Sequence, residues 1–489
     1  MRILLGIFLT VAIGLFAYSA AVGATGSLMI AIPIAVIVLA STVFALKKFQ
    51  IINLEKTAYT RGLQILSAAA IVIALIQLFR LTVFMLDAEK VQYSSVPWSR
   101  WEFEHSCLTA YYTADNAVGV VPDIYSNSLY SMPDDDPKSI RKPRMLGPFR
   151  VDVYEYPPTF LFLPRFFSFI SHDFSSVRML WFGFNGALVL IAMLMVARSL
   201  GSGSGTRALL LIPVVWAALP TIGTLQKGNV QLIIVALSMI AMLYFARQKF
   251  SAGGLLLAFT TASKIYPGML ILYLLLRRHW RAVISTVIAG ISLALITLYV
   301  MGMQSFVAFN NHLPGLLSGQ SFPAFRDPAA VAINLSIPGI VLKLKLFGVE
   351  GMDFTASKIV GWIYTLVLIA IIFVVARRNN KTGLDNPIVW LAILILATLR
   401  SPFLPQGYAP FPPLWLLTLL FATQIPKPKT MTLFILAWLC MNILIPSDAG
   451  VDPRLSAIII TIPQAVTIAI ALLALRQPKH ELVGKVPVM

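Results

Sequence analysis

The chain has 489 residues, 58% of them hydrophobic and only 12% charged, where soluble domains run at roughly half apolar and a quarter charged. That composition excludes a soluble globular protein. The formal net charge of +18 does not point to nucleic acid, because the basic residues gather in short connections between apolar runs.

Runs long enough to cross a bilayer, about 20 residues each, fall at 3–22, 28–46, 63–86, 179–197, 208–225, 229–246, 280–302, 356–376, 386–400, 408–423, 430–446 and 454–475. The first is read as a retained anchor, since a second run follows at once and no small-residue cleavage site stands between them. Arg2 and the short connections, among them Lys47 to Arg61, Arg277 to Arg281, Arg377 to Lys381 and Arg476 to Lys485, hold 20 of the 38 lysines and arginines, against three acids: Glu55, Asp385 and Glu481. This positive-inside bias predicts cytoplasmic termini, with the acid-bearing loops facing outward. The main outer loop spans about 87–156, and 303–330 is read as a second outer loop full of turn formers. Residues 331–347 are amphipathic and are expected to lie in the interface or re-enter from outside. Three parts are expected: an N-terminal transmembrane hairpin (1–62), a catalytic membrane domain (63–425), and a C-terminal hairpin with a cytoplasmic tail (426–489).

The outer loop carries "WEFEHSCLTAYYTADNA" (101–117), read as an amphipathic helix lying on the membrane with Leu108, Tyr111, Tyr112 and Ala114 toward lipid. Its acids are Glu102, Glu104 and Asp115, while His105 reads as a surface residue. Further on, "VDVYEYPPTF" places Glu155 and Tyr156 just before the chain re-enters the bilayer. A carboxylate at the mouth of a membrane cavity can act as a general base. Any one of these acids can equally be a solvated loop residue.

"TLQKGNVQLIIVAL" (224–237) opens a span with Lys227, Asn229 and Gln231. The two amides would point about 200° apart on a continuous helix, but near a helix start they can bind a phosphate or a sugar hydroxyl. The alternative is a plain helix start with a snorkelling lysine. The stretch 252–276 has cytoplasmic-type charge at both ends, so the chain must go in and come back. Two arms of about twelve residues reach roughly 18 Å each, short of the roughly 30 Å hydrocarbon thickness. The turn falls on "SKIYPG", where Pro267 and Gly268 break the helix. Lys264, with Tyr266 in the same turn, then stands at the tip of a hairpin inside the membrane, where a lysine is costly unless it meets an anion or a wet cavity. The competing reading is one ordinary span whose lysine snorkels outward. Arg400, at the outer end of its span, can hold a phosphodiester with its fork or serve as an interface anchor. The two cysteines, Cys107 and Cys440, give no disulfide framework. No metal-ligand spacing, P-loop or dinucleotide glycine pattern is present, so no metal or cofactor is expected.

Four stretches resemble the family 87 glycosyltransferases, which use polyprenyl-phosphate mannose and have a GT-C-type membrane fold. They are "YYTADNA" at 111–117 followed by "DIY" at 123–125, "YEYPPTFLFLPRF" at 154–166, residues 228–282 around "GNVQ" and "SKIYP", and "RSPFLPQGYAPFPPLWLLTLL" at 400–420. The third is the most specific, being similar to "GQVNLLLLAL…LKPYPALLLLYLLLRRRWRA". The resemblance implies an all-α polytopic fold of about twelve to fourteen membrane helices with a large extracytoplasmic first loop. It also implies an inverting enzyme that moves one sugar, mannose or another hexose, from a polyprenyl-phosphate donor to a hydroxyl of a lipid or glycan acceptor. Lys264 matches the "KPYP" lysine, Asn229 and Gln231 match a Gln and an Asn in swapped order, and Ser401 with Pro402 matches an outer "SP" motif beside Arg400. The position of the family's acid holds Cys107, and "PQGY" at 405–408 lacks a histidine. Glu104 is therefore expected as the base, with Asp115 and Glu102 behind it. Lys264, Arg400, Asn229, Gln231, Lys227, Tyr266, Glu155 and Tyr156 are expected to bind the carrier phosphate and sugar. The rival is a transporter or lipid-linked sugar flippase, which shares the intramembrane charges but predicts internal repeats. Expected partners are the donor, the acceptor and membrane lipids, in the plasma (inner) membrane.

Overall fold

The computed structural model describes residues 1–48, 50–52, 54–378, 384 and 386–476. The expected cytoplasmic tail beyond Arg476 lies outside the described residues, as do Lys381 and Asp385. The fold is a bundle of helices: α1 (Arg2–Thr25), α2 (Leu28–Lys48) and α3 (Arg61–Leu86), then the outer loop with α4 (Arg100–Glu104), β1 (His105–Ser106), α5 (Leu108–Ala117), β2 (Met145–Leu146) and β3 (Phe149–Val151). After α6 (Phe162–Ile170) come α7 (Phe174–Ser199), α8 (Ser202–Trp216), α9 (Leu219–Lys227), α10 (Gln231–Ala246), α11 (Phe250–Ser263), α12 (Gly268–Leu276) and α13 (Trp280–Ser318). The chain continues through α14 (Pro328–Ala332), α15 (Gly339–Leu346), α16 (Phe354–Arg378), α17 (Pro387–Thr398), α18 (Phe411–Ala422), α19 (Pro428–Met441) and α20 (Pro453–Arg476).

Local signals set many of the ends. Gly26 closes α1 in the left-handed conformation (φ 64°). Thr60 and Asp173 cap α3 and α7 by accepting from Leu63 N and Ser176 N. Among the described residues seven helices, α1, α2, α3, α7, α13, α16 and α20, are long and apolar enough to cross a membrane, and α8 with α9 makes an eighth, bent by 63°. The chain is an all-α polytopic integral membrane protein, as expected. Several expected spans come out shorter: α17 and α18 have 12 residues each and α19 has 14. α1 joins the common core through Leu5, Phe8, Leu9 and Phe16, against which Gly183 and Gly186 let α7 approach.

Two structural expectations fail. Residues 101–117 are not one helix on the membrane, because β1 interrupts them. The face of α5 read as lipid-facing packs inward: Leu108, Tyr111 and Ala114 are buried, and the Tyr111 ring meets Tyr156, Phe160 and Trp181. An apolar stripe shows that a face is buried without telling lipid from protein. The helix α13 breaks at Gly302 (φ 75°, ψ 161°), where the expected span 280–302 ends, and the turn-former-rich stretch after it is helical as far as Ser318.

The hairpin expected in 252–276 is present. α11 and α12 have 14 and 9 residues and meet at residues 264–267. Gly254 packs on the Ser285 backbone and Ala258 faces Gly290, so α11 and α13 run side by side in the same direction and α12 must return between them. Fourteen residues reach about 21 Å, less than the roughly 30 Å hydrocarbon thickness of an ordinary bilayer.

Candidate active site

Over this bundle the long loop between α3 and α6 folds into a three-stranded sheet in the order β1-β3-β2. β1 runs parallel to β3, with His105 opposite Arg150 and Ser106 opposite Val151. Side chains alternate along strands, so His105 and Cys107, just past the end of β1, share a face with Asp152, just past the end of β3. Cys107 N donates to Lys227 O at 2.8 Å, which fastens this edge to the end of α9. There the chain turns at Gly228 (φ 65°), whose carbonyl accepts from Trp181 Nε1 at 2.9 Å. A side chain at 228 would press on Trp181 and Leu108.

A cavity of about 170 Å³ opens between the sheet edge, the α9–α10 break and the loops around Phe322 and Tyr408. His105, Cys107, Asp152, Glu155, Tyr156, Lys227 and Asn229 line it, with Glu102 and Arg141.

The acids expected to do catalysis are taken by cations. Glu104 Oε1 accepts from Arg100 Nε at 2.5 Å and Oε2 from Arg150 Nε at 2.8 Å. Burial raises its pKa, but the two guanidinium groups outweigh that and hold it below the ordinary value. Glu104 does not line the cavity, and the expected base is a clamp between α4 and β3. Asp115 is paired with Arg165 at 2.9 Å and also lies off the cavity wall; burial outweighs the arginine and raises its pKa. Glu102 reaches the cavity but pairs with Lys227 at 2.6 Å, both buried.

Glu155 differs. It lines the cavity, and its carboxylate has no hydrogen-bond or ion-pair partner among the described residues. Burial and the charge of Asp152 push its pKa well above the ordinary carboxylate value, against the pull of Arg141 and Lys264. Behind the neighbouring Tyr156 stands Lys264, its Nζ 5.3 Å from the centre of that ring. Lys264 Nζ also donates to Gln231 Oε1 at 3.4 Å, as does the Tyr266 hydroxyl at 3.2 Å. Gln231 Nε2 is buried and has no partner among the described residues. Asn229 accepts from Gln231 N at 2.9 Å and donates through Nδ2 to Cys107 Sγ at 3.3 Å. The two amides converge because α10 begins only at Gln231, so Asn229 precedes the helix and escapes its 100° step.

The fold thus brings together Glu155, Tyr156, Asn229, Gln231, Lys264 and Tyr266. It leaves Arg400 off the cavity wall, where its guanidinium lies over Trp362 and donates through Nε to Thr365 at 2.8 Å. It spends Lys227 on Glu102. Sequence reasoning passed over Asp152 and Arg141, and took His105 for a surface residue. His105 Nε2 instead lies 3.1 Å from Asp152 Oδ2. Burial lowers the His105 pKa, but Cys107 and Asp152 together push it up to about 10. The only available signal was the alternation His105-x-Cys107, too short to read as a strand.

A family model for glycosyltransferase family 87 matches residues 154–402, just over half of the chain. The match begins one residue before Glu155 and includes the α9–α10 break, the hairpin and Arg400. No curated protein and no solved structure matches the chain.

Proposed function

The chain belongs to glycosyltransferase family 87, and on that premise we propose that it moves a single sugar, mannose or another hexose, from a polyprenyl-phosphate carrier to a hydroxyl of a lipid or glycan acceptor. Transfer takes place on the extracytoplasmic face of the plasma (inner) membrane, in a GT-C-type fold with both termini cytoplasmic. The observation that carries this reading is a cavity carboxylate without a partner among the described residues, Glu155, backed by a cation at the tip of the α11–α12 hairpin, Lys264.

In this reading Glu155 takes the proton from the acceptor hydroxyl as its oxygen attacks the anomeric carbon. The bond from that carbon to the carrier phosphate breaks on the opposite side, so configuration inverts. The bond's electrons leave with the phosphate, and Lys264 is placed to stabilise that charge as it grows. Asn229 and the unpartnered amide of Gln231 orient the sugar. The prenyl tail lies in lipid beside the short hairpin, which is why a cation at that depth is useful.

The test is a transfer assay in liposomes with radiolabelled polyprenyl-phosphate mannose and a total lipid extract as acceptor. Lys264→Met is expected to lower kcat by about 10²–10³, the scale set by losing one preorganised group that stabilises transition-state charge, with expression and insertion intact. Full activity in that variant removes the phosphate assignment. Glu104→Gln is expected to keep transfer within a few-fold of the unaltered protein, because Glu104 is held by two arginines away from the cavity. Loss of transfer without loss of stability would return Glu104 to the role the sequence suggested. If labelled donor crosses the bilayer and no product forms with any carrier-linked sugar, the chain is a flippase.

A further inference from the structure

We propose that His105, Cys107 and Asp152 form a binding site for a divalent transition metal of the zinc class, with a fourth coordination position open to the cavity. Their ligand atoms all lie within 4.8 Å of one another. Asp152 Oδ2 is 3.1 Å and Cys107 Sγ 3.7 Å from His105 Nε2. Tetrahedral zinc with ordinary bond lengths separates nitrogen from oxygen by about 3.4 Å and nitrogen from sulfur by about 3.6 Å. The two separations from His105 Nε2 therefore stand within a few tenths of an ångström of a coordinating arrangement, and the sulfur and carboxylate oxygen lie within 4.8 Å of each other.

The same distances argue against a hydrogen-bonded catalytic triad. In such a triad the imidazole uses its two nitrogens for two partners. Here sulfur and carboxylate both approach Nε2, and one proton there cannot be shared well by both. A metal ion placed between the three atoms satisfies all of them. A thiolate and a carboxylate around a neutral imidazole also balance a double positive charge.

Other contacts hold the ligands from outside. Asn229 Nδ2 donates to Cys107 Sγ at 3.3 Å, and Val153 N donates to Asp152 Oδ1 at 3.0 Å, so that Oδ2 is the oxygen turned to His105. Outer-shell bonds of this kind orient ligands at metal sites. The sheet supplies the rest, because the β1–β3 pairing sets all three side chains on one face. Sulfur and imidazole favour zinc-like ions over magnesium or calcium, which prefer all-oxygen sets. Three protein ligands with one open position is the pattern of a reactive site rather than a structural one. The Asp152 side chain is 40% exposed and faces the cavity, so water or a substrate oxygen can take the fourth place. The ligand set is independent of the transferase reading.

The test uses the full-length protein, purified in nanodiscs, stripped with chelator and titrated with Co²⁺ as a spectroscopic probe. The expected result is saturation at one equivalent, a thiolate-to-cobalt charge-transfer band, and displacement of the ion by Zn²⁺. Cys107→Ser should abolish the band, Cys440→Ser should keep it, and Asp152→Asn should weaken binding by more than about tenfold, the lower bound even for an outer-shell change. Circular dichroism and elution volume control for folding of each variant. Unsaturable binding by the unaltered protein, or a band that survives Cys107→Ser, overturns the site. None of these readouts depends on sugar transfer.

Discussion

Glu155→Gln is expected to lower kcat by about 10²–10⁴, the range for removing a general base, with little change in donor binding. In the proposed reaction the largest catalytic loss falls on this residue, because each of the other acids expected to act is already committed. Glu104 is held by Arg100 and Arg150, Asp115 by Arg165 and Glu102 by Lys227. The pH profile follows from the raised pKa of Glu155. A base works only when deprotonated, so kcat/KM should fall as pH drops through that raised pKa and level off above it. The acid limb should therefore lie above the ordinary glutamate value of about 4.3. The residual activity of Glu155→Gln should lack that limb. Because burial disfavours the ionised carboxylate, the same substitution should leave thermal stability at neutral pH unchanged or higher, the trade expected of a site built for function. Unchanged kcat in Glu155→Gln, or a limb that persists in its residual activity, assigns the base elsewhere.

The membrane architecture was legible because length and hydropathy are local quantities. The hairpin at 252–276 followed from charge at both ends and too few residues for two full crossings. "SKIYPG" located its tip, and with it Lys264 and Tyr266. Glu155, Tyr156, Asn229 and Gln231 were also within reach, since each is a polar residue at an apolar boundary. What the sequence could not show is which charges are already spent. Glu102 and Lys227 are 125 positions apart, and no periodicity links them. The His105–Asp152 contact rests on strands of two and three residues, below the length at which alternation becomes a signal. The inward face of α5 was misread for a related reason. Lipid and protein interior both reward apolar side chains, and only the aromatic partners of Tyr111 decide between them.

The second large effect is on stability. Lys227→Met should destabilise the protein by about 3–5 kcal/mol, the cost of leaving one member of a buried ion pair without its partner. Lys227 and Glu102 are 3% and 4% exposed and lie 2.6 Å apart. The pair joins α4 to the end of α9, at the place where Lys227 O also receives Cys107 N. Gly407 packs against the lysine so closely that any side chain there would collide with Nζ. Glu102→Gln together with Lys227→Met removes both charges at once and should recover most of the loss, because a buried pair contributes little net stability over a neutral replacement of similar shape. Thermal unfolding of the two single variants and the double variant in detergent gives the coupling directly. Recovery in the double variant identifies Lys227 as a fastener of the cavity wall. A Lys227→Met protein as stable as the original but with weakened donor binding would instead make the lysine a carrier-phosphate ligand, as the sequence suggested. Strain at this joint would also reach the sheet edge, since Cys107 hangs from the same residue by its backbone.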